Sequence, residues 1–131
     1  MKDNRELAER WLEKVIHNIG SAKIIRQHLP DYHDMIAFHC QQAVEKSIKG
    51  ILVYYGRDFK YSHYLPYLIN LLSQVIPVSE EEEDKSILLN QYSVEIRYPN
   101  TSIALSEEDI DNAIAIADFF MEKAIAIIRS N

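Results

Sequence analysis

The stretch Ala37-Phe38-His39-Cys40-Gln41-Gln42-Ala43-Val44-Glu45-Lys46-Ser47-Ile48-Lys49-Gly50-Ile51-Leu52 decides the fold, because at about 100° per residue it reads as a helix with two faces. Ile36, Cys40, Ala43, Val44, Ser47, Ile51 and Tyr55 make an apolar stripe. His39, Gln42, Lys46 and Lys49 make a polar, basic stripe about half a turn away, expected to be the outer face. Gln41 breaks the pattern, since its direction falls between those of Ile48 and Leu52. A glutamine on the core side needs a partner for its amide, because an unpaired one costs roughly 1–3 kcal/mol.

Working outward, three glycines and four prolines leave long stretches free of helix breakers. The first helix is expected to start near Asp3 or Asn4 and to end at Pro30. Leu7, Trp11, Val15, Ala22, Ile25 and Leu29 share one side of it, flanked by Ala8, Leu12 and Ile19. Gly20 lies inside the pattern and costs about 1 kcal/mol relative to alanine. Asp31 or Asp34 opens the second helix, which runs to Tyr55 with Gly56 as its stop. Ser62 reads as the N-cap of a short helix reaching Val75 or Ile76, with Pro66 near its start and Pro77 closing it. Ser79-Glu80-Glu81-Glu82 forms a capping box for a fourth helix that runs to about Ile96 or Arg97, where Pro99 stops it. Ser106-Glu107-Glu108-Asp109 opens the last helix. Its apolar side, Ile110, Ala113, Ile114, Ala117, Phe120, Met121, Ala124 and Ile128, is widened by Ile116 and Ile127. So wide a face implies either a central helix or one shared with a second subunit. The expected fold is all-α: an up-and-down helical bundle of four long helices plus one short helix, with residues 1–131 as a single domain.

The 47% of hydrophobic residues provide for a core, and no apolar run approaches the roughly 18–20 residues of a membrane span. Met1 to Glu6 has no apolar signal core behind it. The single cysteine, Cys40, excludes an internal disulfide and a thiolate metal cluster, and the chain reads as cytoplasmic. Net charge is −6, with 20 acidic against 14 basic residues. A nucleic-acid binder working by attraction over its entire surface is expected to be basic, so any such contact here is a local basic patch on an acidic body.

The run Phe38 to Leu52, followed by Glu95-Ile96-Arg97-Tyr98-Pro99 at the end of a later helix, resembles the HEPN family. These are small helical proteins named as nucleotide-binding domains of higher eukaryotes and prokaryotes. The opening Arg10-Trp11-Leu12-Glu13-Lys14 and the Ser62-His63 start of the middle helix extend the resemblance over most of the chain, in family order. It implies the same bundle and a functional arginine in the region of Arg97. In catalytically active members a histidine follows that arginine after a short spacer, and the pair acts in metal-independent RNA cleavage, typically across a dimer cleft. The matching window here holds Ser102, Ile103 and Ala104, so no general acid or base stands at that position. The resemblance also implies a homodimer and a partnership with a small nucleotidyltransferase, sometimes as toxin and antitoxin.

Arg97 at a helix end interacts favourably with the helix dipole without any ligand. It also offers a planar fork suited to phosphate. The basic stripe carries two amines, an amide and an imidazole, groups suited to phosphate and base edges, although such a stripe is otherwise a solvated face. The expected nucleotide or RNA site is therefore Arg97 and Tyr98 with His39, Gln42, Lys46 and Lys49, in a non-catalytic binding module without cofactor or metal. An endoribonuclease recruiting His39 or His63 to Arg97, and a pure dimerisation scaffold, are the alternatives. Arg57 and His63 repeat the arginine–spacer–histidine pattern in the loop before the short helix, a low-information match in a chain with five histidines. His33 and His39 lack metal-ligand spacing, and the acids from Glu80 to Asp84 are explained by a cap and a solvated run. Of eight tyrosines, Tyr54, Tyr55, Tyr61, Tyr64 and Tyr67 gather around the middle loop. They read as core edges or an interface, with stacking on a base as the alternative.

Overall fold

A computed structural model describes residues 2–97 and 105–130, with side chains for 4–92 and 105–130. Five helices follow in order: α1 (Lys2–His28), α2 (His33–Tyr54), α3 (Leu65–Leu72), α4 (Glu80–Arg97) and α5 (Glu107–Ile128). The fold is the expected all-α bundle of four long helices and one short one. α2 is its axis, touching each of the other four helices.

That central position changes the reading of α2. From Ala43 to Leu52 every residue is buried except Lys46, so the two-faced pattern closes into a helix enclosed almost all round. Gly50 permits the closest approach, since a Cβ there would stand 3.2 Å from Cβ of Trp11 and 3.3 Å from Cδ1 of Ile128. The core consists of Ala8, Leu12, Val15, Ile19 and Ala22 of α1, the buried apolar residues of α2, and Ile110, Ala113, Ala117, Phe120, Ala124 and Ile128 of α5. Leu65, Leu68, Leu72 and Leu89 complete it from α3 and α4. The buried stripe of α1 thus combines Val15 and Ala22 of the expected side with the flanking Ala8, Leu12 and Ile19, while Leu7 and Leu29 at its two ends are exposed. Contact with α2 and α5 selects the face, and both terminal leucines overhang it.

The helix ends show which local signals act. α2 stops in a Schellman arrangement: Arg57 N donates to Leu52 O at 2.9 Å, Gly56 N to Val53 O at 3.0 Å, and Gly56 takes φ 71°. Ser79 and Glu82 form the expected capping box of α4, at 3.1 and 3.2 Å. Ser106 and Asp109 form that of α5. Two expected starts differ. α2 begins at His33 with Tyr32 as N-cap and no side-chain cap, rather than with Asp31 or Asp34. Its first turn is tied instead to the start of α5, where His33 Nδ1 meets Leu105 O at 3.0 Å. α3 begins after Tyr64, and Ser62 Oγ accepts from Tyr64 N without capping the helix. The same helix ends at Leu72, short of Val75, and tightens into turns from Gln74 N to Leu71 O and Val75 N to Leu72 O. Pro77 disfavours helical geometry at Ile76, so the chain leaves the helix early.

Cys40 lies in the core at 0% exposure. Burial pushes its thiol up to about 12, with Asp118 raising it further and Lys23 opposing, which makes it a poor nucleophile.

Candidate functional site

Two polar networks run along α2, one toward α1 and one toward the loop before α3. The first joins two of the residues expected to form the site, His39 and Lys46. Lys46 Nζ donates to Asn18 Oδ1 at 2.8 Å, and the Asn18 amide, so oriented, donates from Nδ2 to His39 Nδ1 at 3.0 Å. His39 therefore carries its proton on Nε2 and is neutral. Burial holds its pKa below the ordinary imidazole value, and the Lys46 ammonium adds to the effect. The Lys46 amine is likewise held down by burial, with Glu45 pulling it up and Lys14 and Lys49 adding repulsion. Gln42, half-buried beside them, donates from Nε2 to Gln41 Oε1 at 3.0 Å. Asn18 uses one of the three N–H groups of Lys46, and no carboxylate salt-bridges it among the described residues. The result is a half-buried seam between α1 and α2 that presents positive charge on a chain of net charge −6.

Lys49 does not belong to this seam. The expectation that it lies on an outer basic face is corrected by its burial, 3% exposed against 2% for Glu45. The two pair at 3.0 Å, one helical turn apart. The lysine amine is also enclosed by rings, 5.8 Å from the centroid of Trp11, 5.7 Å from Phe59 and 5.6 Å from Tyr61. Stripe arithmetic places Lys49 beside Lys46, but the 57–64 loop folds over that stretch of α2 and covers it.

The second network explains how. The other oxygen of Glu45 meets His63 Nδ1 at 2.8 Å. Glu45, ionised beside Lys49, only accepts, so Nδ1 carries a proton, and Nε2 lies at hydrogen-bond distance, 3.0 Å, from the Tyr61 hydroxyl. Gln41 supplies the further tie, donating to His63 O at 3.0 Å, which is the partner its core-side position required. Lys60 N donates to Tyr67 Oη at 2.9 Å, and Arg57 reaches Gln74 Oε1 at 2.6 Å. The Arg57 and His63 of the spaced pattern thus serve separate contacts. Buried Glu45 and Lys49, Gln41, and the His63 they hold together form the clasp between α2 and the loop.

Of the other expected site residues, Arg97 ends α4 with its side chain outside the described residues, and Tyr98 lies outside them altogether, as do Ser102, Ile103 and Ala104. Asn18 was absent from the sequence reading although it joins Lys46 to His39. Its signal was its place at the edge of the α1 core stripe, between Val15 and Ala22. Among the described residues no group of three or more His, Cys, Asp or Glu is placed to hold a metal ion, and no helix is long and apolar enough to cross a membrane.

The order of these elements, with the Phe38 to Leu52 segment at the centre, agrees with the comparisons. The HEPN domain family model matches residues 8–128. The chain belongs to the HEPN family. Two solved structures share its fold. TT1696 from Thermus thermophilus is 24% identical with a TM-score of 0.78, over 89% of this chain and 94% of that one. An archaeal HEPN homologue, ST0689, is 20% identical with a TM-score of 0.73, over 92% and 97%. No curated protein gives a significant match. This HEPN chain holds its family-like helix in the bundle centre, with the Asn18–His39–Lys46 seam facing α1 and the His63 clasp facing the loop before α3.

Proposed function

We propose that this HEPN protein is a non-catalytic nucleotide- or RNA-binding module whose site combines Arg97 and Tyr98 with His39, Gln42 and Lys46. The observation that carries the reading is the seam itself. Lys46 is half-buried and, among the described residues, hydrogen-bonded through Asn18, with Glu45 attracting its charge and Lys14 and Lys49 repelling it, on an otherwise acidic protein. A phosphate neutralises that charge and accepts the remaining ammonium hydrogens. Lys49 acts one step back, holding Glu45 and through it His63. The HEPN resemblance extends the reading to a homodimer working with a small nucleotidyltransferase, an arrangement that in the family is sometimes a toxin–antitoxin pair. Light scattering at micromolar concentration and co-purification with such an enzyme test those two parts.

The site is tested by thermal unfolding against nucleotides and short RNAs, repeated with Arg97→Ala and Lys46→Ala. A ligand at 100 times its dissociation constant stabilises the native state by about 2.7 kcal/mol. The expected outcome is a shift in the wild type that both substitutions reduce. No shift with any ligand overturns the binding reading in favour of a dimerisation scaffold.

A second reading has one observation behind it. Glu45 orients His63 through Nδ1 at 2.8 Å, which is how a carboxylate prepares an imidazole for general-base work. On that reading the protein is a metal-independent endoribonuclease using Arg97 with His63. RNA cleavage in chelator that disappears in Arg97→Ala and in His63→Ala supports it. Cleavage retained in both variants points to a contaminating nuclease.

A further inference from the structure

Resting on the binding reading above, we propose that Tyr61 is the base-stacking platform of the nucleic-acid site, held rigid by the Lys49–Glu45–His63 clasp. Tyr61 is the most exposed large hydrophobic side chain of the described residues, at 86%. An exposed loop tyrosine ordinarily swings freely, but this one is tied at its hydroxyl. Tyr61 Oη and His63 Nε2 hydrogen-bond at 3.0 Å, and the two rings meet edge-to-face, 5.0 Å apart at 81°. His63 is held in turn by Glu45 through its ring and by Gln41 through its carbonyl. Lys49 Nζ lies 5.6 Å from the Tyr61 centroid, so a buried cation stands near the ring while most of its surface is open to solvent. The ring is therefore fixed before any ligand arrives, which removes much of the ordering cost of binding.

The chemistry around it selects a base over a protein side chain. Tyr61 is flanked by Lys60, Ser62 and His63, and the interiors of protein interfaces are depleted in charged groups. Lys46 is one helical turn from Lys49, and such neighbours stand about 5–6 Å apart at Cβ. A base laid on Tyr61 thus brings its backbone phosphate toward Lys46 and the seam. Stacking of this kind tolerates any base, because each has a π-face.

The test is a titration of a fluorescein-labelled short single-stranded RNA, with AMP followed by calorimetry in parallel, against wild type, Tyr61→Ala, Tyr61→Phe and Lys46→Ala. Tyr61→Ala should bind RNA about 5- to 100-fold more weakly with an unchanged salt slope. Lys46→Ala should lower that slope by about 0.7, the signature of a lost phosphate contact. Tyr61→Phe keeps the π-face but loses the hydroxyl tie to His63, so its affinity should fall between those of wild type and Tyr61→Ala. Loss in both ligands shows that a single nucleotide suffices, and loss with RNA alone that the strand is required; either supports the proposal. Tyr61→Ala binding like wild type while Lys46→Ala is impaired overturns the platform and leaves the binding reading standing. Tyr61→Phe as weak as Tyr61→Ala overturns stacking in favour of a hydroxyl contact. A changed mass by light scattering in Tyr61→Ala with RNA binding intact assigns the ring to a subunit contact. A wild type that binds neither ligand overturns both readings.

Discussion

Lys49 shows how much depends on one residue's surroundings. Its ammonium, 3% exposed, has Glu45 as its counter-charge and three rings around it. Removing it leaves Glu45 ionised in the core, a change that costs about 3–5 kcal/mol. Lys49→Met should therefore destabilise the protein by about that amount in urea titrations. Glu45→Gln with Lys49→Met should cost less than the sum of the two single changes, because neither member is left as a lone buried charge. Additive losses would show that the pair is not coupled. His39 makes the second residue-scale prediction. Its pKa is lowered in the folded state by burial and then by Lys46, so below the ordinary value of 6.5 the unfolded chain takes up the proton first. Stability from this group is full above that value and falls as the pH drops below it. Protonation also removes the lone pair that accepts from Asn18. The drop in melting temperature between about pH 7.5 and about pH 5.5 should be smaller in His39→Gln than in wild type.

At the scale of the helix, glycine has opposite meanings at two positions. Gly20 sits inside α1 with nothing within 4 Å of the Cβ it lacks. Gly20→Ala should stabilise by up to about 1 kcal/mol and raise the melting temperature by a few degrees. Gly56 has φ 71° and closes α2, its N–H donating to Val53 O and that of Arg57 to Leu52 O. Gly56→Ala should destabilise by about 1–2 kcal/mol, since an L side chain is strained in that conformation. Calorimetry on the two variants gives opposite signs if these roles are right. Caps followed the same local logic where the chain had no competing contact: the boxes at Ser79 and Ser106 formed where the spacing placed them. Where tertiary contact competed, the local signal lost. Ser62 has the chemistry of an N-cap, yet its loop is held by His63 and Glu45, and the helix begins only after Tyr64. The start of α2 likewise follows the His33 contact with α5 rather than the nearby aspartates.

For the molecule as a whole, charge decides what kind of binder it is. With −6 net and a positive seam at Lys14 and Lys46, attraction is local and the number of phosphates contacted is small. On the proposed reading, Lys46 and Arg97 give a slope of log affinity against log salt of about −1.4 for single-stranded RNA, and about −2 if Lys14 beside Lys46 also meets a phosphate. A slope several times steeper would place many more cations in the contact than this seam holds.

The helices, their order, most of their ends and the HEPN family were legible in the chain, because periodicity, proline and glycine positions and capping boxes are local properties. Gln41 was legible too, as a polar group on the core side in need of a partner. That its partner is the carbonyl of His63, that Lys49 is enclosed rather than solvated, and that Asn18 couples Lys46 to His39 all depend on which segment lies against α2. A single helix wheel contains no neighbours. The sequence by itself determined which residues make helices and where helices stop. Only the tertiary structure decided which of their polar groups are exposed, because burial is set by the segments that cover a face, and those are brought there from distant parts of the chain.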